Sequence, residues 1–193
     1  MPLNCRPDFI LASALPRRLA LLADIGVVPD RVVAADIDET PRKGELPRDM
    51  AVRLAFEKGQ AIAAQNPQAV VLAADTVVAC GRLVLSKAES DQDVRYCLHR
   101  MSGRRHHVFT AVAVFMPGGR VVQKLSDSVV SFKKMTLPEI EAYVASGEGI
   151  GKAGGYAIQG QAARLIRSIS GSYSGIVGLP LYETGQILTF IGM

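Results

Sequence analysis

The sequence predicts an α/β protein built around a mixed sheet, and three observations carry that expectation. Short apolar runs alternate with longer segments of helical period along the 193 residues. One run, Ala69 to Ala79, is apolar on both faces apart from one acid and one threonine, as a strand covered on both sides must be. Two extended segments then flank the turn Pro117-Gly118-Gly119, so part of the sheet is antiparallel.

Each element follows from a local signal. Phe9 to Ala12 is a short apolar strand, and Pro16 suits the first position of a helix. Leu19, Leu22, Ala23 and Gly26 fall at i, i+3, i+4 and i+7, predicting the buried face of that helix, which Gly26 stops. Val27 to Ala35 reads as extended, followed by the acidic loop Asp36 to Pro41. A second helix is predicted from Pro47 to Gln65, with Val52, Ala55, Phe56, Gly59, Ile62 and Ala63 along its apolar stripe. After the long apolar strand come a turn at Gly81-Arg82 and a loop carrying Ser86-Lys87-Ala88. Ser90 with Asp93 reads as a capping box opening a helix through Val94, Cys97, Leu98 and Met101 to Gly103. Val108 to Phe115 and Arg120 to Phe132 form the hairpin, and Pro138 opens a helix that turns Ile140, Tyr143 and Val144 inward and ends near Gly147. Ala163 to Ile169 is predicted as a strand, Gly171 to Gly175 as a loop, and Pro180 as the start of a terminal helix. With no internal repeat or linker, residues 1–193 are expected to form one domain, in two lobes flanking a groove.

Composition narrows the function classes. Hydrophobic residues at 49% with 21% charged exclude a disordered chain, and no apolar run is long enough to cross a bilayer. The stretch Met1 to Arg6 has no apolar targeting core, which sets a cytoplasmic location as the expectation. Cys5, Cys80 and Cys97 lack the spacing of a zinc site or a disulfide framework and are read as reduced thiols, two of them packed as small hydrophobes. A net charge of +4 favours anionic partners, but the cations are scattered. Aromatic residues are only 6%, with no Trp, so small phosphorylated ligands are expected rather than nucleic acid.

Asp75 is the most telling residue, a lone carboxylate inside an apolar strand. It needs a cation, a donor network or a shifted pKa, whether its task is structural, metal binding or proton transfer. Glu39, with Asp36 and Asp38 as competitors, could join Asp75 around a hard divalent cation. Ser13 precedes a helix whose first turn carries Arg17 and Arg18, cations placed against the helix dipole, which an anion would relieve. Lys58 and Lys87 add point charges suited to a polyphosphate. Six glycines between Gly147 and Gly160 surround Lys152 and Gln159; such backbone freedom suits close approach to a ligand, and the Gln159 amide could read a base edge. His99, His106 and His107 lack metal-ligand spacing and are assigned to helix surface and strand edge.

Together these segments resemble the Maf family of nucleoside triphosphate pyrophosphatases. Ile10 to Leu22 is similar to the family's apolar strand, S-x-S-P-R-R and leucine-rich helix, and Ala73 to Thr76 resembles its G-A-D-T. Ser102-Gly103-Arg104 with His106, Val108 and Thr110 resembles S-G-R-x-H-x-V-x-T; Lys152 to Gly160 resembles K-A-G-x-Y-x-I-Q-G; Gly178-Leu179-Pro180 resembles G-L-P. The resemblance implies an elongated α/β fold with a central cleft. It also implies hydrolysis of a nucleoside triphosphate to the monophosphate and pyrophosphate with a divalent metal, Mg²⁺ or Mn²⁺. It implies Asp75 as proton acceptor and metal ligand, Glu39 as metal ligand, and Arg17, Arg18, Lys58 and Lys87 on the triphosphate. Arg17, Thr76 and Gln159 match the branch acting on dTTP and UTP, and a homodimer is implied as well. Leu15, Ala74, Ser86, Ala88 and Gly151 depart from the family pattern. The Ala74 methyl is expected to narrow the groove, and the departures keep open a nucleotide-binding regulator of cell division with little turnover.

Overall fold

The computed structural model describes residues 6–193, so Cys5 lies outside the described residues. Its strands are β1 (Phe9–Ala12), β2 (Arg31–Val32), β3 (Val70–Cys80), β4 (Leu83–Leu85), β5 (Arg105–Phe115), β6 (Val121–Phe132) and β7 (Ile166–Ser170). Its helices are α1 (Pro16–Asp24), α2 (Pro47–Gln65), α3 (Asp91–Met101), α4 (Leu137–Ala145), α5 (Tyr173–Val177) and α6 (Leu181–Phe190), with a 3₁₀ helix at Gln161–Leu165. All seven strands join one mixed sheet in the order β2-β1-β3-β5-β6-β7, with β4 beside β3. β1 runs parallel to β2 and β3, and the other pairings are antiparallel.

The pairing along β3 creates the cleft. β5 holds one edge of β3 continuously from Val71 to Ala79. On the opposite edge β1 reaches only to Ala73 and β4 begins at Val78. Among the described residues no strand pairs with Ala74 to Val77 on that side, which leaves a gap in the sheet centred on Asp75. Side chains alternate across a strand, so the faces diverge at this point. Ile10, Val71, Ala73, Val77 and Ala111 pack beneath α2. Phe9, Leu11, Leu72, Ala74, Val78 and Val112 join the larger core that takes in α1, α3, α4 and α6. Asp75 therefore shares the α2 face and Thr76 the other.

Several sequence expectations change. The buried face of α1 is Arg18, Leu21 and Leu22, while Leu19 is 39% exposed. The helix is rotated about one residue from its apolar pattern because Arg18 is drawn inward by hydrogen bonds from Nε to the Gly178 carbonyl (2.8 Å) and from Nη1 to Ser13 Oγ (3.2 Å). In α2 the buried face is Met50, Ala51, Leu54, Ala55, Lys58, Gly59 and Ile62, with Val52, Phe56 and Ala63 on its flank. A purely apolar reading passes over Lys58, whose ammonium is paired. Of the extended stretch 27–35 only Arg31 and Val32 pair with β1. Residues 161–165 wind as a 3₁₀ turn before β7, and the expected loop 171–175 already contains the start of α5, capped by the Ser172 hydroxyl. The Ala74 methyl is wholly buried in the larger core and does not line the groove.

His106 is the plainest correction. β5 is an interior strand between β3 and β6, so His106 is fully buried rather than at an edge. Its ring packs on Phe132 and Tyr156 at centroid distances of 5.0 and 5.4 Å. Burial, with a smaller push from His107, lowers its pKa from 6.5 to about 4.

Two outcomes follow from this packing. A Cβ at Gly59 would stand 2.3 Å from Phe115 Cε2 and 3.2 Å from the Ala73 methyl. Gly59→Ala is expected to lower unfolding stability by about 1–3 kcal/mol in urea titrations, because α2 cannot back away without opening the core. His106 stays neutral in the native state between 6.5 and about 4, whereas the unfolded chain takes up a proton. Its share of stability is thus complete above 6.5 and lost as the pH falls toward 4, by up to about 3 kcal/mol. Stability measured across that window should fall less steeply in His106→Phe than in the native sequence.

Candidate functional site

Asp75 stands in the gap of β3, and its carboxylate is met by α2. Lys58 Nζ lies 2.6 Å from Asp75 Oδ1 and 2.7 Å from Glu39 Oε1. The Asp75 and Lys58 side chains are 9% and 11% exposed, so this ammonium is the charge that lets a carboxylate sit inside the strand. Glu39 comes from the loop after β2 and also approaches Lys87 Nζ at 3.6 Å. Burial pushes the Glu39 pKa up, but the hydrogen bond and charge of Lys58, with Lys87, outweigh it and leave the carboxyl below its ordinary value. Asp36 and Asp38 stay outside the cleft lining; Asp38 instead accepts from the Thr40 amide at 2.9 Å.

The turn from β1 into α1 faces this cluster. Ser13, Arg17, Arg18, Glu39, Lys58, Asp75 and Lys87 line one chamber. Ser13 Oγ accepts from the Leu15 amide and from Arg18, which leaves its own proton to donate. The cap position of α1 is Leu15, which offers no side-chain oxygen; Pro16 has no N–H and the Arg18 amide donates to the Leu15 carbonyl (3.1 Å), so within the first turn the Arg17 amide is the one left to meet an anion. Burial lowers the Arg18 pKa to about 10, opposed by the charge of Asp75, and burial likewise lowers Arg17. Arg17 Nε is buried with no hydrogen-bond partner among the described residues.

A second, narrow chamber opens on the other face of β3. Arg17, Thr76, Lys152, Tyr156, Ile158 and Gln159 line it, with Val108 and Ile176. Arg17 and Thr76 border both chambers. The Thr110 hydroxyl lies 2.7 Å from the Gly175 carbonyl and 3.1 Å from Thr76 Oγ1. Thr110 is the donor in both contacts, and Thr76 Oγ1 keeps its own proton and a lone pair for the chamber. Lys152 thus lines the chamber of Gln159, while its backbone lies against the loop that carries Lys87.

Two loops shape the join. Ala88 N donates to the Lys152 carbonyl (3.1 Å), Gly151 N to the Ala88 carbonyl (2.8 Å) and Gly154 N to the Leu85 carbonyl (3.0 Å). Gly154 has φ +70, and a Cβ there would meet Val78 Cγ1 at 2.8 Å, so glycine alone lets this loop lie against β3. The departures at Ser86, Ala88 and Gly151 all fall on these backbone contacts, the Gly154 amide also meeting the Ser86 carbonyl at 3.1 Å, and Ser86 borders the cleft as well. The sequence reading missed Thr110 and Tyr156 as parts of the site. Thr110 carried a signal, since it lies in register with Thr76 on β5; Tyr156 carried none beyond its place among the glycines.

Two carboxylates converging on one ammonium form a hard-oxygen pair already suited to a cation. A divalent ion commonly takes one or two such carboxylates and completes its shell with substrate oxygens and water. Glu39 and Asp75 therefore fit such an ion, although among the described residues no group of three potential ligand side chains gathers.

Known proteins share this arrangement of sequence. The family described as Maf-like protein matches residues 8–191. A protein of Novosphingobium aromaticivorans named dTTP/UTP pyrophosphatase is 55% identical over 192 residues, covering 100% of this chain and 96% of its own. One of the same name from Caulobacter vibrioides is 54% identical over 186 residues, covering 96% of each. The solved HAM1 protein from Coxiella burnetii shares the fold with a TM-score of 0.52 at 15% identity, across 95% of this chain and 99% of that one. On the strength of the match across nearly its whole length, the chain belongs to the Maf family.

Proposed function

We propose that this protein is a nucleoside triphosphate pyrophosphatase that hydrolyses dTTP and UTP, or modified pyrimidine triphosphates, to the monophosphate and pyrophosphate in the cytoplasm. The observation that carries the reading is the two-part cleft. One chamber gathers Asp75 and Glu39 opposite Arg17, Arg18, Lys58 and Lys87, and the adjoining one presents Thr76 and Gln159. The names of relatives at 54–55% identity support it.

In this reading water attacks the α-phosphorus, the bond from that phosphorus to the α–β bridging oxygen breaks, and pyrophosphate leaves with the electron pair. Asp75 takes the proton of the attacking water. Lys58 holds the carboxylate in place during that transfer, so the base needs no reorganisation when charge develops. Arg17, Arg18, Lys87 and the Ser13 hydroxyl neutralise the phosphoryl oxygens as the bond lengthens. Glu39 and Asp75 would hold a divalent ion, which when bound supplies further neutralisation of the phosphate oxygens. The pyrimidine edge of thymine or uracil presents an N–H between two carbonyls. A Thr76 lone pair and the Gln159 amide provide the complementary acceptor and donors, and the chamber walls of Val108, Ile158 and Ile176 take the apolar ring faces.

Purified protein incubated with a nucleotide panel and Mg²⁺ or Mn²⁺ should release pyrophosphate fastest from dTTP or UTP. Asp75→Asn is expected to lower kcat by roughly a hundredfold to ten-thousandfold. Nucleotide-induced thermal stabilisation with no pyrophosphate release would instead identify a binding protein and overturn the reading. Chelation by EDTA should abolish turnover, and added Mg²⁺ or Mn²⁺ should restore it; turnover indifferent to EDTA would remove Glu39 and Asp75 as metal ligands.

A further inference from the structure

Lys152 and Gln159 reach the cleft from a segment that glycine leaves loose. Gly147, Gly151, Gly154 and Gly155 all have φ near +70, and fixing such backbone costs more entropy than fixing any other. Backbone hydrogen bonds tie the segment down at Lys152 and Gly154. Between there and Gln159 two tyrosines take over. The Ala157 amide donates to the Tyr143 hydroxyl at 3.0 Å, and the Tyr156 hydroxyl lies 2.8 Å from His106 Nε2.

Resting on the reading of the cleft as a nucleotide site, we propose that His106 is a positioning residue. Through the Tyr156 hydroxyl it pins the segment that carries Lys152 and Gln159 into the cleft. Three observations carry this. His106 sits on β5 at a position paired to β6, so it is a fixed point against which a loop can be held. Its side chain is fully buried, yet Nδ1 has no hydrogen-bond partner among the described residues. An apolar ring would fill that space without leaving a polar atom unsatisfied, so packing does not account for an imidazole there. The one polar contact it makes ends on Tyr156, which itself lines the base-side chamber. Phe132 completes the clamp, with its ring 5.0 Å from both His106 and Tyr156. The chain from interior strand to cleft is thus His106, Tyr156, then the backbone on which Ile158 and Gln159 sit.

The test uses Tyr156→Phe, His106→Phe and His106→Gln, the last keeping a polar group near the place of Nε2. Amide hydrogen exchange in residues 152–159 is expected to rise roughly three- to tenfold in Tyr156→Phe and His106→Phe, with β3 and α2 unchanged, and to stay near the native rate in His106→Gln. KM for UTP should rise by a similar factor while kcat stays within about twofold, and the double variant should be no worse than either single one. A merely structural role predicts faster exchange throughout the core and a lower active fraction at unchanged KM. That result, or unchanged exchange in 152–159 for Tyr156→Phe, overturns the proposal. If the native protein hydrolyses no nucleotide, the pyrophosphatase reading fails by itself, and the exchange comparison still decides the role of His106.

Discussion

The Lys58 ammonium between Asp75 and Glu39 is the contact on which the architecture of the site depends. An acid in the middle of a covered strand is tolerable only if its charge is met within the same space. α2 supplies that charge from its buried face, and Gly59, next along the chain, lets the helix lie close enough to the sheet for the lysine to reach. The same ammonium reaches Glu39 in the loop after β2, so one cation fixes the relative places of a strand, a helix and a loop. Such a cluster holds its shape before any ligand arrives, which electrostatic stabilisation of a transition state requires.

The second organising fact is the interruption in pairing along β3. A strand held on one edge by β5 and on the other by two short, separated partners keeps its rigidity while exposing a few residues. Alternation of side chains then gives the exposed stretch two chemistries. Asp75 faces α2 and the cations of the first chamber, and Thr76 faces the chamber of Gln159 and Tyr156. Arg17, at the start of α1, borders both chambers, and its buried Nε has no hydrogen-bond partner among the described residues. Arg18, its neighbour, also lines the first chamber and is fixed there by hydrogen bonds to the Gly178 carbonyl and Ser13 Oγ that close the turn.

Glycine in the 147–160 segment has a matching set of restraints. Loop-to-loop hydrogen bonds through Lys152 and Gly154, and tyrosine hydroxyls further on, hold in place what the sequence leaves free. The backbone thereby keeps a defined course past β3.

Much of this was legible in the chain alone. The α/β class and the order of the principal elements follow from periodicity and capping, and the start of α2 from Pro47 in its first turn, all of them local properties. Asp75 stood out because a charge in an apolar strand conflicts with its surroundings, and that conflict is visible without a fold. Which residues it meets was decided by tertiary structure. The sequence reads Lys58 as a point charge suited to a polyphosphate, because pattern cannot show that its ammonium has buried carboxylate partners. Arg18 and His106 were misplaced for the same reason, each a polar group carried inside by a partner far along the chain, Gly178 in one case and Tyr156 in the other. Local sequence fixes how the backbone runs, since its hydrogen bonds close over a few residues. The burial of a charge is fixed only by contacts that close over tens of residues, and these exist only in the assembled sheet.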